Sequence, residues 1–229
     1  MNRWALRRMT WLVVTVVAFA LQGCNGGSSG SEPAVGKIVS AIQVAAVTRA
    51  EAAALFIAAS VPLVPAYDVK IYKIVYLTTD ESGALINASG ALVVPQNLAR
   101  PAPLLSSQHG TTTLKFDVAS TAPAAGQPYV HLEALAFGTA GYITALPDYI
   151  GYGDSGNRFH PYLHATTLAN SVINLLRAAK TYCATNNIAL NGKLFLTGYS
   201  EGGYATMAAT REIQEGISHH RLGSHGGTL

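Results

Sequence analysis

The segment from Lys193 to Met207 constrains this chain most, because its pattern predicts a buried strand, a sharp turn and a helix in immediate succession. The turn contains Gly198-Tyr199-Ser200-Glu201-Gly202, a Gly-x-Ser-x-Gly pattern in which two glycines allow a strained bend that turns the serine outward. Backbone amides at the start of a helix favour developing negative charge. We therefore predict Ser200 as a nucleophile, with Gly198 and Gly202 shaping its elbow and the amide of Glu201 as an oxyanion donor. An ordinary N-cap serine in a glycine-rich turn is the alternative.

Composition excludes two broad classes of protein. With 49% hydrophobic and 12% charged residues, the 229-residue chain can bury one substantial core, so an intrinsically disordered protein is excluded. The net charge of +3 arises from Arg3, Arg7 and Arg8, and the rest of the chain holds as many basic as acidic residues. Nucleic acid is therefore not expected as a partner.

The N-terminus has the layout of an export signal. A basic start is followed by an apolar stretch from Trp11 to Leu21, about half the ~20 residues that a membrane-spanning helix needs. Residues 1–23 are thus predicted to be a signal peptide. The ending Leu21-Gln22-Gly23-Cys24 is similar to a bacterial lipobox, which implies lipidation of Cys24 and a flexible tether over residues 24–33. We expect an exported lipoprotein of the cell membrane or outer membrane, with a soluble secreted protein as the alternative.

Hydrophobic patterning predicts an α/β protein. A capping box at Thr48 and Glu51 predicts a helix over Arg49–Ala59, and alternating residues predict an antiparallel pair of strands. Strands then alternate with helices, which is typical of a mostly parallel sheet with helices on both faces. Cys183 falls on the apolar stripe of a helix and is expected to be a core thiol. The predicted strands are Val69–Leu77, Gly83–Val94, Pro103–Ser107, Tyr142–Leu146 and Lys193–Thr197, and the later helices are Tyr129–Phe137, Leu168–Cys183 and Gly203–Gln214.

Two further loops follow strand ends. The first contains His109, Gly110, Thr111 and Thr112, and a His-Gly pair there predicts that Gly110 or Thr111 supplies a second oxyanion amide. We interpret His109 as a residue that shapes this loop rather than as a general base. The second loop contains the two acids Asp148 and Asp154, which precede Ser200 in the chain and are therefore interpreted as structural turn residues.

Taken together, these motifs resemble the α/β-hydrolase superfamily, and within it the secretory lipase and esterase family. The resemblance rests on four segments in the family's order: Gln108–Thr112, Asp148–Gly153, His160–His164 and Gly198–Gly202. It implies hydrolysis of a lipid or small ester substrate through an acyl-enzyme on Ser200, and it implies no metal or cofactor. The hydrolase part is assigned to residues 34–214.

The chain departs from the family in its last residues. No Asp follows Ser200. The acids that follow it are Glu201, Glu212 and Glu215, and the last two lie on or just beyond the elbow helix. The family places its acid and histidine after further strands, which this chain is expected to lack. We therefore expect a partial hydrolase fold, an irregular tail over residues 215–229 and an inactive chain. A non-catalytic lipoprotein relic, a binding module and a peptidase of the same fold are the alternatives. The histidines that follow the serine are His219, His220 and His225.

Overall fold

A computed structural model describes residues 35–121 and 132–222, with side chains up to residue 216. Six strands form one sheet in the order β1-β2-β3-β5-β4-β6. The strands are β1 (Ile38–Val47), β2 (Val69–Thr79), β3 (Leu85–Pro95), β4 (Ala102–Gln108), β5 (Ile143–Pro147) and β6 (Leu190–Gly198). The helices are α1 (Arg49–Ala58), α2 (Leu132–Thr139), α3 (Ala165–Thr185) and α4 (Glu201–Leu222), with a short 3₁₀ helix over Gly153–Ser155.

Strand direction divides the sheet into two parts. β4 pairs in parallel with both β5 and β6, whereas β1, β2, β3 and β5 pair with one another in antiparallel fashion. Four strands, β2, β4, β5 and β6, therefore run in the same direction. This arrangement confirms the predicted partial α/β-hydrolase sheet, and it brings the carboxyl ends of β4, β5 and β6 to one edge.

The core has one layer on each face of the sheet. On one face, α3 packs Val172, Leu175 and Ala179 against strand residues that include Leu92 and Leu104. On the other face, Phe56 of α1 and Leu135 of α2 join strand residues that include Ile71 and Val93. Helices thus cover both faces, as parallel strands require. Cys183 is buried in the first layer, as predicted, and burial raises the pKa of its thiol to about 11.

The N-terminal half of the sheet contains the strands and the capping box predicted from sequence, together with one strand that was not predicted. The Thr48 hydroxyl accepts from the Glu51 amide at 3.2 Å while the Glu51 carboxylate accepts from the Thr48 amide at 2.8 Å, so the predicted capping box is present. β1 was not predicted. Its sequence IVSAIQVAAV is rich in alanine and is half exposed at the edge of the sheet, so it lacks the clear alternation of a strand with one buried face.

The last helix differs from its prediction. α4 extends to Leu222, so the irregular tail predicted from residue 215 is wrong for residues 215–222. Gly216 does not end the helix, since an isolated glycine costs only about 1 kcal/mol there, and Arg211 forms a 3.3 Å ion pair with Glu215 one turn later.

Several predictions fall outside the described residues. They concern the signal peptide, the tether, Cys24, His225 and the start of the helix predicted from Tyr129. Within the described ranges, no helix combines the length and the apolar character needed to cross a membrane.

Candidate active site

Ser200 occupies the bend between β6 and α4. Its φ of 55° lies in the left-handed region that non-glycine residues avoid, at a cost of roughly 1–3 kcal/mol. The residue is exposed, and the first turn of α4 begins immediately after it. Within that turn the amides of Gly202 and Gly203 donate to the carbonyls of Tyr199 and Ser200, both at 2.9 Å. The amide of Glu201 is the first of the helix, where backbone donors lack intrahelical acceptors.

The two elbow glycines are required by close backbone approach. A β-carbon at position 202 would collide with the carbonyl oxygen of Gln108 and lie 2.7 Å from that of His109. A β-carbon at position 198 would collide with the Gly202 carbonyl. β6, α4 and the end of β4 therefore meet at van der Waals distance, which holds Ser200 at the carboxyl edge of the sheet.

The loop after β4 lies against the elbow. A β-carbon at Gly110 would be 3.5 Å from the β-carbon of Ser200 and 3.3 Å from the Tyr199 carbonyl oxygen. Gly110 and Thr111 share a cleft of about 600 Å³ with Ser200. The cleft is also lined by Ser107, Gln108, His109, Thr112, Asp117, Glu133, Phe137, Thr197, Gly198 and Tyr199. The structure thus brings both predicted oxyanion segments, at Gly110–Thr111 and at Glu201, to the candidate nucleophile.

His109 is buried within this loop. Its Nδ1 lies 2.7 Å from the Gly110 carbonyl oxygen and its Nε2 lies 3.2 Å from the Asp148 carbonyl oxygen. Its ring packs on Tyr149 with centroids 4.4 Å apart. These contacts join the loop after β4 to the loop after β5, and they agree with the interpretation of His109 as a loop-shaping residue.

Asp148 is fully buried and anchors the loop after β5. Its carboxylate accepts hydrogen bonds from the Ser89 hydroxyl at 2.6 Å and from the amide and hydroxyl of Ser120. Burial raises the pKa of Asp148, and the hydrogen bonds from Ser120 and Ser89 oppose that shift. Asp154 is partly exposed and forms a 2.6 Å ion pair with Lys73. Both acids thus bind residues of the scaffold, in agreement with their predicted structural role.

A histidine–carboxylate pair lies directly behind the elbow. His160 Nε2 is 2.7 Å from Glu201 Oε1, and His160 Nδ1 is 2.7 Å from the Ile150 carbonyl oxygen. The Glu201 side chain is fully buried, whereas the His160 side chain is 13% exposed. Glu201 Oε2 is buried and makes no hydrogen bond with any described residue. Sequence reasoning assigned only the Glu201 amide and missed this pair.

The signals for that pair were present but separate. His160 belongs to the His160–His164 segment of the resemblance, and Glu201 follows the nucleophile. Their 41-residue separation gave no local pattern that could join them.

The described histidines engage the scaffold. Side chains are described for His109, His160 and His164, and His164 Nδ1 accepts from the Thr167 amide at the start of α3. The side chains of His219 and His220 and all of His225 lie outside the described residues. The described part of the chain therefore presents the candidate nucleophile Ser200 and the candidate backbone donors, without a described side chain assigned as general base. In this part, no group of three or more His, Cys, Asp or Glu residues is arranged to hold a metal ion.

The fold is similar to that of known hydrolases. A model of the prolyl oligopeptidase family matches residues 128–215. A Legionella pneumophila protein assigned as a hydrolase is 34% identical over 79% of this chain, with a TM-score of 0.71. The ligand-bound rice cell wall degrading esterase LipA from Xanthomonas oryzae is 32% identical over 81% of this chain, also with a TM-score of 0.71.

Each of these two structures is matched over 48% of its own length, so the chain spans about half of its solved relatives. No curated protein matches this chain. The sheet topology and these matches agree on an α/β-hydrolase fold for the described residues.

Proposed function

We propose that this chain carries the nucleophile and the oxyanion donors of a serine carboxylic ester hydrolase of the secretory lipase and esterase type. The observation that carries the proposal is the convergence of an exposed, strained Ser200 with the Gly110 backbone across one cleft. Similarity to the esterase LipA, at 32% identity, supports esters as the substrate class of this chain.

The proposed reaction has two halves. Ser200 Oγ attacks the ester carbonyl carbon and loses its proton to a general base, while amides at Gly110–Thr111 and Glu201 stabilise the oxyanion. Collapse of the tetrahedral intermediate expels the alcohol, which takes the proton, and leaves an acyl-enzyme. Water then attacks the acyl-enzyme and releases the carboxylic acid and Ser200.

The general base is proposed to come from outside the described side chains. His109, His160 and His164 hydrogen-bond to scaffold groups, so none of them is assigned to Ser200. If no such base reaches Ser200, ester turnover should be ~10²–10⁴-fold slower than with a positioned base, which is the usual contribution of general acid–base catalysis.

Hydrolysis of p-nitrophenyl butyrate by the full chain and by Ser200→Ala tests this proposal. A residual rate in the wild-type chain that disappears in Ser200→Ala supports a serine hydrolase. Equal background rates in both proteins would instead favour a non-catalytic relic or binding module that keeps the hydrolase core.

A peptidase is the second candidate, because the prolyl oligopeptidase model matches residues 128–215. The same purified proteins can be assayed with a proline-containing peptide p-nitroanilide. Cleavage of the peptide that depends on Ser200, without cleavage of the ester, would replace the esterase assignment.

The proposed location is a membrane surface, reached through export and lipidation of Cys24. Two or more acyl chains at about 0.8 kcal/mol per buried CH₂ are enough for stable anchoring. Mass spectrometry of the mature protein is expected to find an acylated N-terminal Cys24. Cys24→Ser should shift the protein from the membrane fraction to the soluble fraction, and an unchanged distribution would contradict the anchor.

A further inference from the structure

The contact between His160 and Glu201 buries a carboxylate, which is unfavourable in desolvation free energy. The Ile150 carbonyl can only accept a hydrogen bond, so His160 Nδ1 carries a proton. Nε2 and the Glu201 carboxylate then share one further proton across 2.7 Å. A carboxylate that is fully removed from water is costly unless it is paired, and Oε2 has no described partner to offset that cost.

This costly pair lies at the residue whose amide is the proposed oxyanion donor. Glu201 is the first residue of α4, and its side chain is fixed by His160 while its backbone follows Ser200 directly. The position of the Glu201 side chain therefore restricts the orientation of the first turn of α4.

The segment that contains His160 also hydrogen-bonds to the loop after β4, which carries the proposed donors Gly110 and Thr111. The Tyr149 hydroxyl donates to the His109 carbonyl at 3.1 Å, and the Tyr152 hydroxyl donates to the Thr112 carbonyl at 2.6 Å. These two carbonyls flank Gly110 and Thr111. Tyr149 is fully buried with a φ of 68°, so its backbone is held in a conformation that a tyrosine rarely adopts.

Aromatic packing connects the His160–Glu201 contact with the hydrogen bonds from Tyr149 and Tyr152 to the loop after β4. The His160 ring lies 4.7 Å from the Tyr152 ring between centroids, and the His109 ring lies 4.4 Å from the Tyr149 ring. One segment, residues 149–160, thus hydrogen-bonds to residues on both sides of the candidate nucleophile.

We propose that His160 is a positioning residue, which sets the Glu201 amide against the Gly110–Thr111 amides through its bond to the Glu201 carboxylate. This inference rests on the proposed function, because it assigns the two segments as oxyanion donors. His160 itself does not contact substrate in this account.

Covalent labelling of Ser200 by a fluorophosphonate ester tests the proposal in the full chain. The phosphonyl oxygen develops charge as the serine attacks, so the maximal labelling rate reports the oxyanion donors. His160→Phe keeps an aromatic ring but removes both hydrogen bonds. It should lower the maximal rate ~10-fold or more, a smaller loss than the ~10²–10³-fold caused by complete removal of an oxyanion donor.

A double-mutant cycle separates positioning from simple loss of stability. Glu201→Ala should lower the rate about as much as His160→Phe, and the double variant should be no slower than either single variant. Glu201→Gln, which can still hydrogen-bond to His160, should recover at least half of the logarithmic loss seen in Glu201→Ala. Additive losses in the cycle, or no recovery in Glu201→Gln, would overturn the proposal.

His164→Asn is the matched control. His164 lies in the same segment of sequence but caps α3 through Thr167, and asparagine is a good N-cap, so labelling should not change. If His160→Phe fails to fold, Glu201→Ala and Glu201→Gln break and restore the same bond from its other end. A labelling rate in folded Glu201→Ala equal to that of the wild-type chain would overturn the proposal.

Amide hydrogen exchange tests the positioning role of His160 without depending on the reactivity of Ser200. The amides of residues 201–203 should exchange at least ~10-fold faster in His160→Phe than in the wild-type chain, with thermal unfolding measured on the same samples. If the wild-type chain is not labelled at all, the proposed function fails, and the exchange rates still decide the positioning role. Unchanged exchange at these amides would contradict it.

Discussion

Ser200 lies between two unlike surroundings. On one side, residues 148–152 are buried, and the Asp148 carboxylate, the Tyr152 hydroxyl and the His160 imidazole are engaged in hydrogen bonds. On the other side, β6 is the last strand of the described sheet, and Tyr199 and Met207 are 83% and 69% exposed.

The difference separates two tasks of a serine hydrolase site. The buried side fixes the bend and the backbone donors, and it does so with residues that the structure describes in full. The open side is where a proton acceptor could reach Ser200, and the described residues offer none with that role. The contrast therefore predicts a well-ordered oxyanion side and a nucleophile that is poorly activated.

The largest expected effect comes from Ser200 itself. Ser200→Ala should abolish fluorophosphonate labelling, because the attacking oxygen is removed while the elbow is retained. In the wild-type chain, added imidazole should accelerate labelling at least ~10-fold, as a free base replaces part of the ~10²–10⁴-fold contribution of a positioned one. Labelling that is fast and insensitive to imidazole would show that a base already serves Ser200.

The second largest effect concerns the elbow. Gly202→Ala places a methyl group against the carbonyls of Gln108 and His109, and it should cost roughly 3 kcal/mol or more of unfolding free energy, because backbone must move. Gly203→Ala is the control, since its nearest neighbour would be 3.6 Å away, and it should be neutral or stabilising by up to about 1 kcal/mol. Urea unfolding measures the unfolding free energy of both variants. Equal losses would contradict the close contact between Gly202 and the carbonyls of Gln108 and His109.

A smaller effect is expected at the open edge. β6 pairs with β4 on only one side among the described strands, and Phe195 is 44% exposed, which favours association between chains. Phe195→Lys should lower the light scattering of a concentrated solution several-fold. Ile57→Lys, at an 80% exposed position of α1, should change scattering less. Equal effects would show that general hydrophobicity, rather than the strand edge, drives association.

The smallest effect is a pH dependence in the core. Burial raises the pKa of Cys183 to about 11, above the ~8.5 of an unfolded thiol, so only the unfolded state ionises between these values. The contribution of Cys183 to stability is therefore present below pH ~8.5 and is lost as pH rises toward 11. Between pH 8 and 10, the unfolding free energy should fall less in Cys183→Ala than in the wild-type chain. Parallel curves would contradict this assignment.

Local patterns predicted the parts of the site that depend on neighbouring residues. The strand, bend and helix around Ser200 were predictable because glycine spacing and apolar runs act within about fifteen residues of sequence. The capping box at Thr48 was predictable for the same reason, and so was the buried position of Cys183 on α3.

Other parts depend on contacts between distant segments. One such contact is the bond between His160 and Glu201, and another is the pair of hydrogen bonds from Tyr149 and Tyr152 to the loop after β4. They form only when the tertiary fold brings separate loops to one edge of the sheet. β1 was missed because an exposed, alanine-rich edge strand lacks strong alternation. The extent of α4 was underestimated because composition, rather than a helix-stop signal, suggested its end.

Ser200 is proposed to face two sets of backbone donors, at Gly110–Thr111 and at Glu201. A crystal structure of the fluorophosphonate adduct would show this arrangement. Phosphorus is expected on Ser200 Oγ, with the phosphonyl oxygen about 2.7–3.1 Å from the Glu201 amide and from an amide at Gly110 or Thr111. An adduct on another residue, or a phosphonyl oxygen that points away from both segments into solvent, would contradict it.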